Sequence, residues 1–176
     1  MIYGIQFDSS GNPISGWEAP DSAYPVPVDV TLCTEAQNAD YLAWTLVNGS
    51  LVQSLSATQT AQIALLRGGY ANANAANISF TNAAGLTDTY QCDSASLMNL
   101  QNCLSGFRAA AAVPSGFYWR SATNNNNPFT YADLENLSAA IAARGFANYN
   151  QMQTLIAKVK AAKKVSAVQA VVWVNP

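Results

Sequence analysis

Hydrophobic periodicity changes several times along this chain, and each change predicts an element. Residues 1–7 are β-branched and aromatic, 8–13 are dense in turn formers, and 14–17 can pair back, so the chain opens with a β-hairpin. Three prolines between residues 19 and 27 make an extended linker. Val26, Val28, Val30 and Leu32 alternate with Pro27, Asp29 and Thr31 as a strand does, with Pro27 near its start or on an edge. Thr34 and Gln37 have capping-box spacing, which starts a short helix reaching about Leu42. Asn48-Gly49, between residues 44–47 and 50–53, marks a type I′ hairpin, because that turn needs positive φ at both central positions. Ser56 and Gln59 form a second capping box. Ala61, Ile63, Leu65 and Leu66 follow in a helix that Gly68-Gly69 is expected to stop.

Residues 70–77 (YANANAAN) are small and of low complexity, and read as a linker between two subdomains or as an extended ordered segment. Residues 78–80 and 86–92 flank Asn82-Ala83-Ala84-Gly85 as another hairpin. Asp93 caps a helix expected to reach about Ala112, with Leu97, Leu100, Leu104 and Phe107 as its buried stripe. Pro114-Ser115-Gly116 ends it. Residues 117–121 predict a strand, the third of a small sheet with the preceding hairpin, and residues 124–128 predict a turn or exposed loop. Thr130 and Asp133 cap the longest helix, whose apolar stripe is Leu134, Leu137, Ile141, Tyr149, Met152, Ile156 and Val159. Gly145-Phe146 shifts the phase of that stripe, so the reading favours two antiparallel helices over one rod of roughly 45 Å. Ser166 is the expected cap of a further helix, and residues 168–174 close the chain as a short helix or strand. The fold class is therefore α+β: two small subdomains, each a β-hairpin or small antiparallel sheet packed with helices, the C-terminal part helix-rich.

Composition changes the picture of the surface. Hydrophobic residues make up 50% of the 176, enough for a packed core. Charged residues are only 10%, well below the ~25% of an ordinary soluble domain. Asn, Gln, Ser, Thr and Ala must cover the outside, and such a surface suits a permanently assembled protein. The net charge of −2 argues against a nucleic-acid partner. Up to Leu66 every charge is acidic (Asp8, Glu18, Asp21, Asp29, Glu35, Asp40); after Glu135 every one is basic (Arg144, Lys158, Lys160, Lys163, Lys164). Helix-dipole complement and solvated faces account for this layout, and head-to-tail attraction between copies is the sharper reading. Cys33, Cys92 and Cys103 contain no C-x-x-C spacing, which argues for synthesis in a reducing compartment and leaves only a Cys92–Cys103 pair open. No apolar run approaches the ~20 residues of a membrane span, and residues 1–7 look like a strand rather than a signal peptide.

Candidate chemistry is thin. With no histidine, the commonest general base, the usual metal ligand and every Ser-His or Cys-His arrangement are absent. No zinc spacing and no phosphate-binding Gly-rich loop occurs, so no metal and no cofactor are expected. Asp88 and Asp93 are the carboxylate pair a glycosidase could use, but Asp93 reads better as a helix cap. The chain is expected not to be an enzyme. Two features could bind. The aromatic run around Trp119 could stack sugars or bases, although in a half-buried strand part of it faces the core. Asn124, Asn125, Asn126 and Asn127 could hydrogen-bond a glycan, or form a plain solvated turn. These five residues are the candidate partner or glycan contacts.

Certain stretches are not anonymous. They are Phe80-Thr81-Asn82-Ala83-Ala84-Gly85, Tyr90-Gln91-Cys92-Asp93-Ser94, Phe117-Tyr118-Trp119-Arg120-Ser121-Ala122, residues 134–144, Lys158-Val159-Lys160-Ala161-Ala162 and Val165-Ser166-Ala167-Val168. Together they resemble a tailed-bacteriophage domain family of unknown function associated with tail fibres and tail-fibre assembly proteins. Residues 24–28, the Thr34–Gln37 box and Leu46-Val47-Asn48-Gly49 are similar in outline to tail-fibre assembly proteins. The low-complexity stretch divides the chain into residues 1–69, a linker at 70–77 and residues 78–176; the resemblance implies an attachment subdomain for the first part and a phage tail-associated domain for the last. It implies a non-enzymatic virion component that attaches, decorates or forms part of a tail fibre, made in the bacterial host cytoplasm and located in the virion tail. Its partners would be a tail-fibre or tail-adaptor protein and further copies of itself, with a host surface glycan as a third candidate. An assembly chaperone absent from the mature virion and a glycan-binding receptor module are the alternatives.

Overall fold

A computed structural model describes residues 1–175. The chain divides into two compact units, residues 1–65 with 155–172, and the remainder from Leu66 to Thr154 with the chain end from Trp173. The α+β class expected from the sequence is the class observed.

In the first unit, β1 (Ile2–Phe7) is central to an antiparallel sheet of order β2-β1-β3, with β2 (Pro13–Ala19) and β3 (Val30–Cys33) at its sides. The alternation of β1 buries Ile5 and Phe7. The strand expected from Val26 begins only at Val30: the Val30 amide turns back onto the Pro27 carbonyl (3.0 Å), and Val28 is fully exposed. Helix α1 (Glu35–Ala39) carries the expected capping box, Thr34 and Gln37 bonding reciprocally. The hairpin β4 (Trp44–Val47) and β5 (Ser50–Gln53) turns at Asn48 (φ 51°) and Gly49 (φ 76°), as a type I′ turn requires. It docks on the β1–β2 turn through Gly11, whose carbonyl accepts the Leu46 amide (3.0 Å) and the Thr45 hydroxyl (2.8 Å). A Cβ at Gly11 would lie 2.3 Å from the Leu46 oxygen, so no other residue fits there.

Two long helices correct the sequence reading. Helix α2 (Leu55–Ala75) starts earlier than the Ser56 box and runs through Gly68-Gly69 into the expected linker. Its first turn is tied to Ser54, whose Oγ accepts the Ala57 amide (3.3 Å). Gly69 is not a stop: a Cβ there would sit 2.6 Å from Trp173 Cγ, so the glycine makes room for the tryptophan. Residues 70–75 are helical: Ala71, Ala73 and Ala75 favour helix and the end is held by Arg144, which donates to the Asn74 (2.8 Å) and Asn77 (3.2 Å) carbonyls. Helix α4 (Tyr131–Ala161) is likewise continuous, with no break at Gly145. The apparent phase shift at Gly145-Phe146 came from assigning Tyr149 to the stripe; Tyr149 is 47% exposed. Phe146 is 69% exposed, and the position one heptad after Ile141 is Asn148, fully buried at 0%. The inward row is thus Leu134, Leu137, Ile141, Asn148, Met152, Ile156 and Val159, at helical spacing throughout. At the end of α4, Gln59 Nε2 donates to the Val159 (3.0 Å) and Ala162 (3.2 Å) carbonyls.

The second unit has its core in Tyr90, Leu100, Phe129, Leu134 and Leu137, with Phe80, Phe107, Phe117 and Trp119 packed around them. Strands β6 (Ile78–Thr81) and β7 (Thr87–Tyr90) form the expected hairpin. Asp93 caps α3 (Ser94–Phe107), accepting from Ala95 (2.9 Å) and Ser96 (3.0 Å); the helix ends five residues before Ala112 in a turn with Ala111 at φ 48°. Residues 117–121 do not add a third strand to β6–β7. Instead β8 (Tyr118–Arg120) pairs with β9 (Asn126–Pro128), so the expected asparagine loop is half strand. Helix α5 (Val165–Gln169) has Lys164 rather than Ser166 at its N-cap, and irregular chain follows it. All three cysteines are free, which closes the Cys92–Cys103 question. Among the described residues no helix is long and apolar enough to cross a membrane.

Candidate functional site

The polar chemistry of the second unit gathers around Asp88 on β7. One carboxylate oxygen accepts the Thr89 amide (2.7 Å), and the other accepts Nδ2 of Asn125 and of Asn127 (both 3.1 Å). The Thr123 hydroxyl lies against both (2.9 and 3.1 Å). These donors, the Thr89 amide first and then Asn127, Ser121 and Asn125, hold the carboxyl well below the usual carboxylate range. Asp88 is therefore a fixed anion that organises a turn, the opposite of the raised carboxyl a general acid needs.

That turn takes its shape from residues 121–125. Asn124 sits in the left-handed region (φ 66°), a conformation asparagine tolerates. The Ser121 amide donates to the Asn125 carbonyl (2.9 Å), and Ser121 Oγ accepts the Asn125 amide (3.1 Å). Asn127 is buried and also donates to the Tyr90 hydroxyl (2.9 Å), so its amide group ties β9 to β7. Asn82, also buried, donates to the Pro128 carbonyl (2.8 Å) and accepts the Leu86 amide (2.9 Å). Asp133 closes the arrangement from α4. Burial alone would raise its pKa, yet bonds from Thr130 and the Ala83 amide (2.7 Å) bring it below the usual value. The capping box at the α4 start thus also pins the β6–β7 turn.

Beside this network lies a groove of about 410 Å³ between α3 and β8, lined by Tyr118, Trp119 and Arg120 on the strand and by Gln91, Asn99 and Asn102. Phe117 and Trp119 are half-buried on the core side, while Tyr118 is 53% exposed. Cys103 also lines the groove, and burial pushes its thiol pKa up, so it is not an activated thiolate. An aromatic wall with amide side chains and one guanidinium can stack a ring face and hydrogen-bond hydroxyls. It contains no acid–base pair.

The structure thus separates the five residues predicted as contacts. Trp119 lines the groove. Asn125 and Asn127 turn inward to Asp88, Asn126 is opposite Arg120 in the β8–β9 ladder, and Asn124 makes the turn; none of the four lines the groove. Sequence reasoning missed Gln91, Asn99 and Asn102. A signal for the last two existed: Ser96, Asn99 and Asn102 follow one another at three-residue steps along α3, a polar strip running beside the apolar one.

Fold and groove define a small α+β unit with an aromatic and amide-lined groove. Residues 70–172 match the family described as "Domain of unknown function (DUF4376)", and the chain belongs to that family. No curated protein and no solved structure matches the chain.

Proposed function

We propose that this chain is a non-enzymatic component of a bacteriophage tail, attaching, decorating or forming part of a tail fibre. The observation that carries the non-enzymatic part is Asp88: the carboxylate best placed for chemistry is occupied by four donor groups and kept ionised. The tail assignment rests on the resemblance of residues 80–174 to the phage domain family, a stretch that falls almost wholly inside the matched region 70–172. The charge-poor surface, 10% charged residues, supports life inside an assembly rather than free in solution. Its partners are then a tail-fibre or tail-adaptor protein and other copies of the chain. Mass spectrometry of purified particles tests this: the chain should be present in mature virions at fixed stoichiometry. Its presence only in assembling lysates would make it a tail-fibre assembly chaperone instead.

A second reading is favoured by the groove. Tyr118, Trp119, Asn99 and Asn102 offer the ring face and amides that recognise a sugar, so the unit would bind a host surface glycan. On a glycan array, Trp119→Ala should abolish signal while Asn124→Ala leaves it unchanged. No signal with the unaltered protein would remove this reading.

A further inference from the structure

The groove between α3 and β8 holds a single charged side chain, Arg120, and among the described residues no carboxylate lines it. The acidic groups on the neighbouring elements are spent elsewhere. Asp93, which caps α3, accepts the Ala95 and Ser96 amides and the Ser96 hydroxyl (2.8 Å). Asp88 is closed by Thr89, Thr123, Asn125 and Asn127. The bonds that lower both carboxyls come from amides and hydroxyls, with no contribution from Arg120. Opposite Arg120 in the β8–β9 ladder stands the neutral Asn126. In a chain with only 10% charged residues, a guanidinium without a counter-charge sits in an aromatic groove.

Strand geometry sets what that guanidinium can share. Tyr118 and Arg120 are two residues apart on β8, so their side chains leave the same face roughly 6.6 Å from each other. Both are exposed. Trp119, between them, leaves by the opposite face and forms the half-buried inner wall, with its ring 6.5 Å from that of Phe117. The groove therefore offers an open aromatic ring beside a free cation. The exposed amides of Gln91, Asn99 and Asn102 surround the pair, each able to donate and to accept.

We propose, resting on the glycan reading of this groove, that its ligand is an acidic sugar: a pyranose bearing a carboxylate. The sugar ring stacks on Tyr118, the carboxylate is held by the Arg120 guanidinium, and the hydroxyls bond the amides. The planar fork of an arginine matches both oxygens of a carboxylate at once. A neutral sugar would use the ring and the amides and leave the one charge in the groove unanswered. An acidic peptide side chain would answer the charge but has no ring of hydroxyls for the amides.

Calorimetric titration of the full chain with oligosaccharides of galacturonic, glucuronic and sialic acid, each beside its carboxyl-reduced form, tests this. At least one acidic oligosaccharide should bind, roughly tenfold or more tighter than its reduced form, and the gap should narrow as salt is added. Arg120→Gln, at an exposed position, should bind the two forms equally. Tyr118→Ala should weaken both forms by a similar factor and keep the preference for the acid. Equal binding of acidic and reduced forms, or a preference that survives Arg120→Gln, overturns the proposal while the glycan reading stands. No binding by any of these sugars also overturns it, and the glycan array then decides separately whether the groove takes a neutral glycan.

Discussion

Asn127 and Asn148 are both buried asparagines in the same unit, and they do different things. Asn127 gives its two amide hydrogens to Asp88 and Tyr90. Asn148 gives one hydrogen to Asn74 and leaves its oxygen without a partner. The first arrangement uses a polar residue to fix a fold. The second leaves a buried acceptor unsatisfied within the fold. Burial of an asparagine is therefore not itself a functional signal; what matters is whether its bonds close within the chain.

The comparison can be broken by substitution. The largest effect is expected for Tyr90→Ala, which removes the fully buried ring between Phe80 and Phe129 together with the hydroxyl under Asn127. Urea denaturation should show a loss of about 3–5 kcal/mol. Asn127→Leu strips Asp88 and Tyr90 of a shared donor and should lose about 1–3 kcal/mol. Gly145→Ala should go the other way: a Cβ there meets nothing within 4 Å, so thermal melting should show a gain of about 0.5–1 kcal/mol. Asn148→Leu is the smallest, within about 0.5 kcal/mol, because it removes an unsatisfied acceptor and leaves only the half-exposed Asn74 amide to find water. A loss for Asn148→Leu as large as that for Asn127→Leu would erase the distinction.

What could be read from the sequence was local chemistry. Asn48-Gly49, the Thr34–Gln37 and Thr130–Asp133 boxes and the Asp93 cap act within a few residues, and each forms the element it predicts. What could not be read depends on residues far along the chain. Gly69 looks like a helix stop until Trp173 is seen packed on it. Gly145 looks like a break because Asn148, the residue that continues the inward row, is polar and Phe146, which lies off that row, is not. The four asparagines looked like one loop, and two of them, Asn125 and Asn127, are turned inward by Asp88, more than thirty residues earlier. Of the five candidate contacts, only Trp119 lines the groove, whose other wall comes from α3.

The hydrogen bonds around Asp88 make it part of the scaffold, and the proposed function of contact rather than catalysis rests on that. Carbon-13 NMR titration of the Asp88 carboxyl tests it most directly. A folded-state pKa below the unfolded value of ~3.9 means the ionised form stabilises the fold above that pH, and this stabilisation is lost as pH falls through the folded value. The account predicts an Asp88 signal that titrates below the ordinary carboxylate range, with stability flat near neutrality and declining only in acid. An Asp88 that titrates near pH 6, as a proton-transferring carboxyl would, contradicts it.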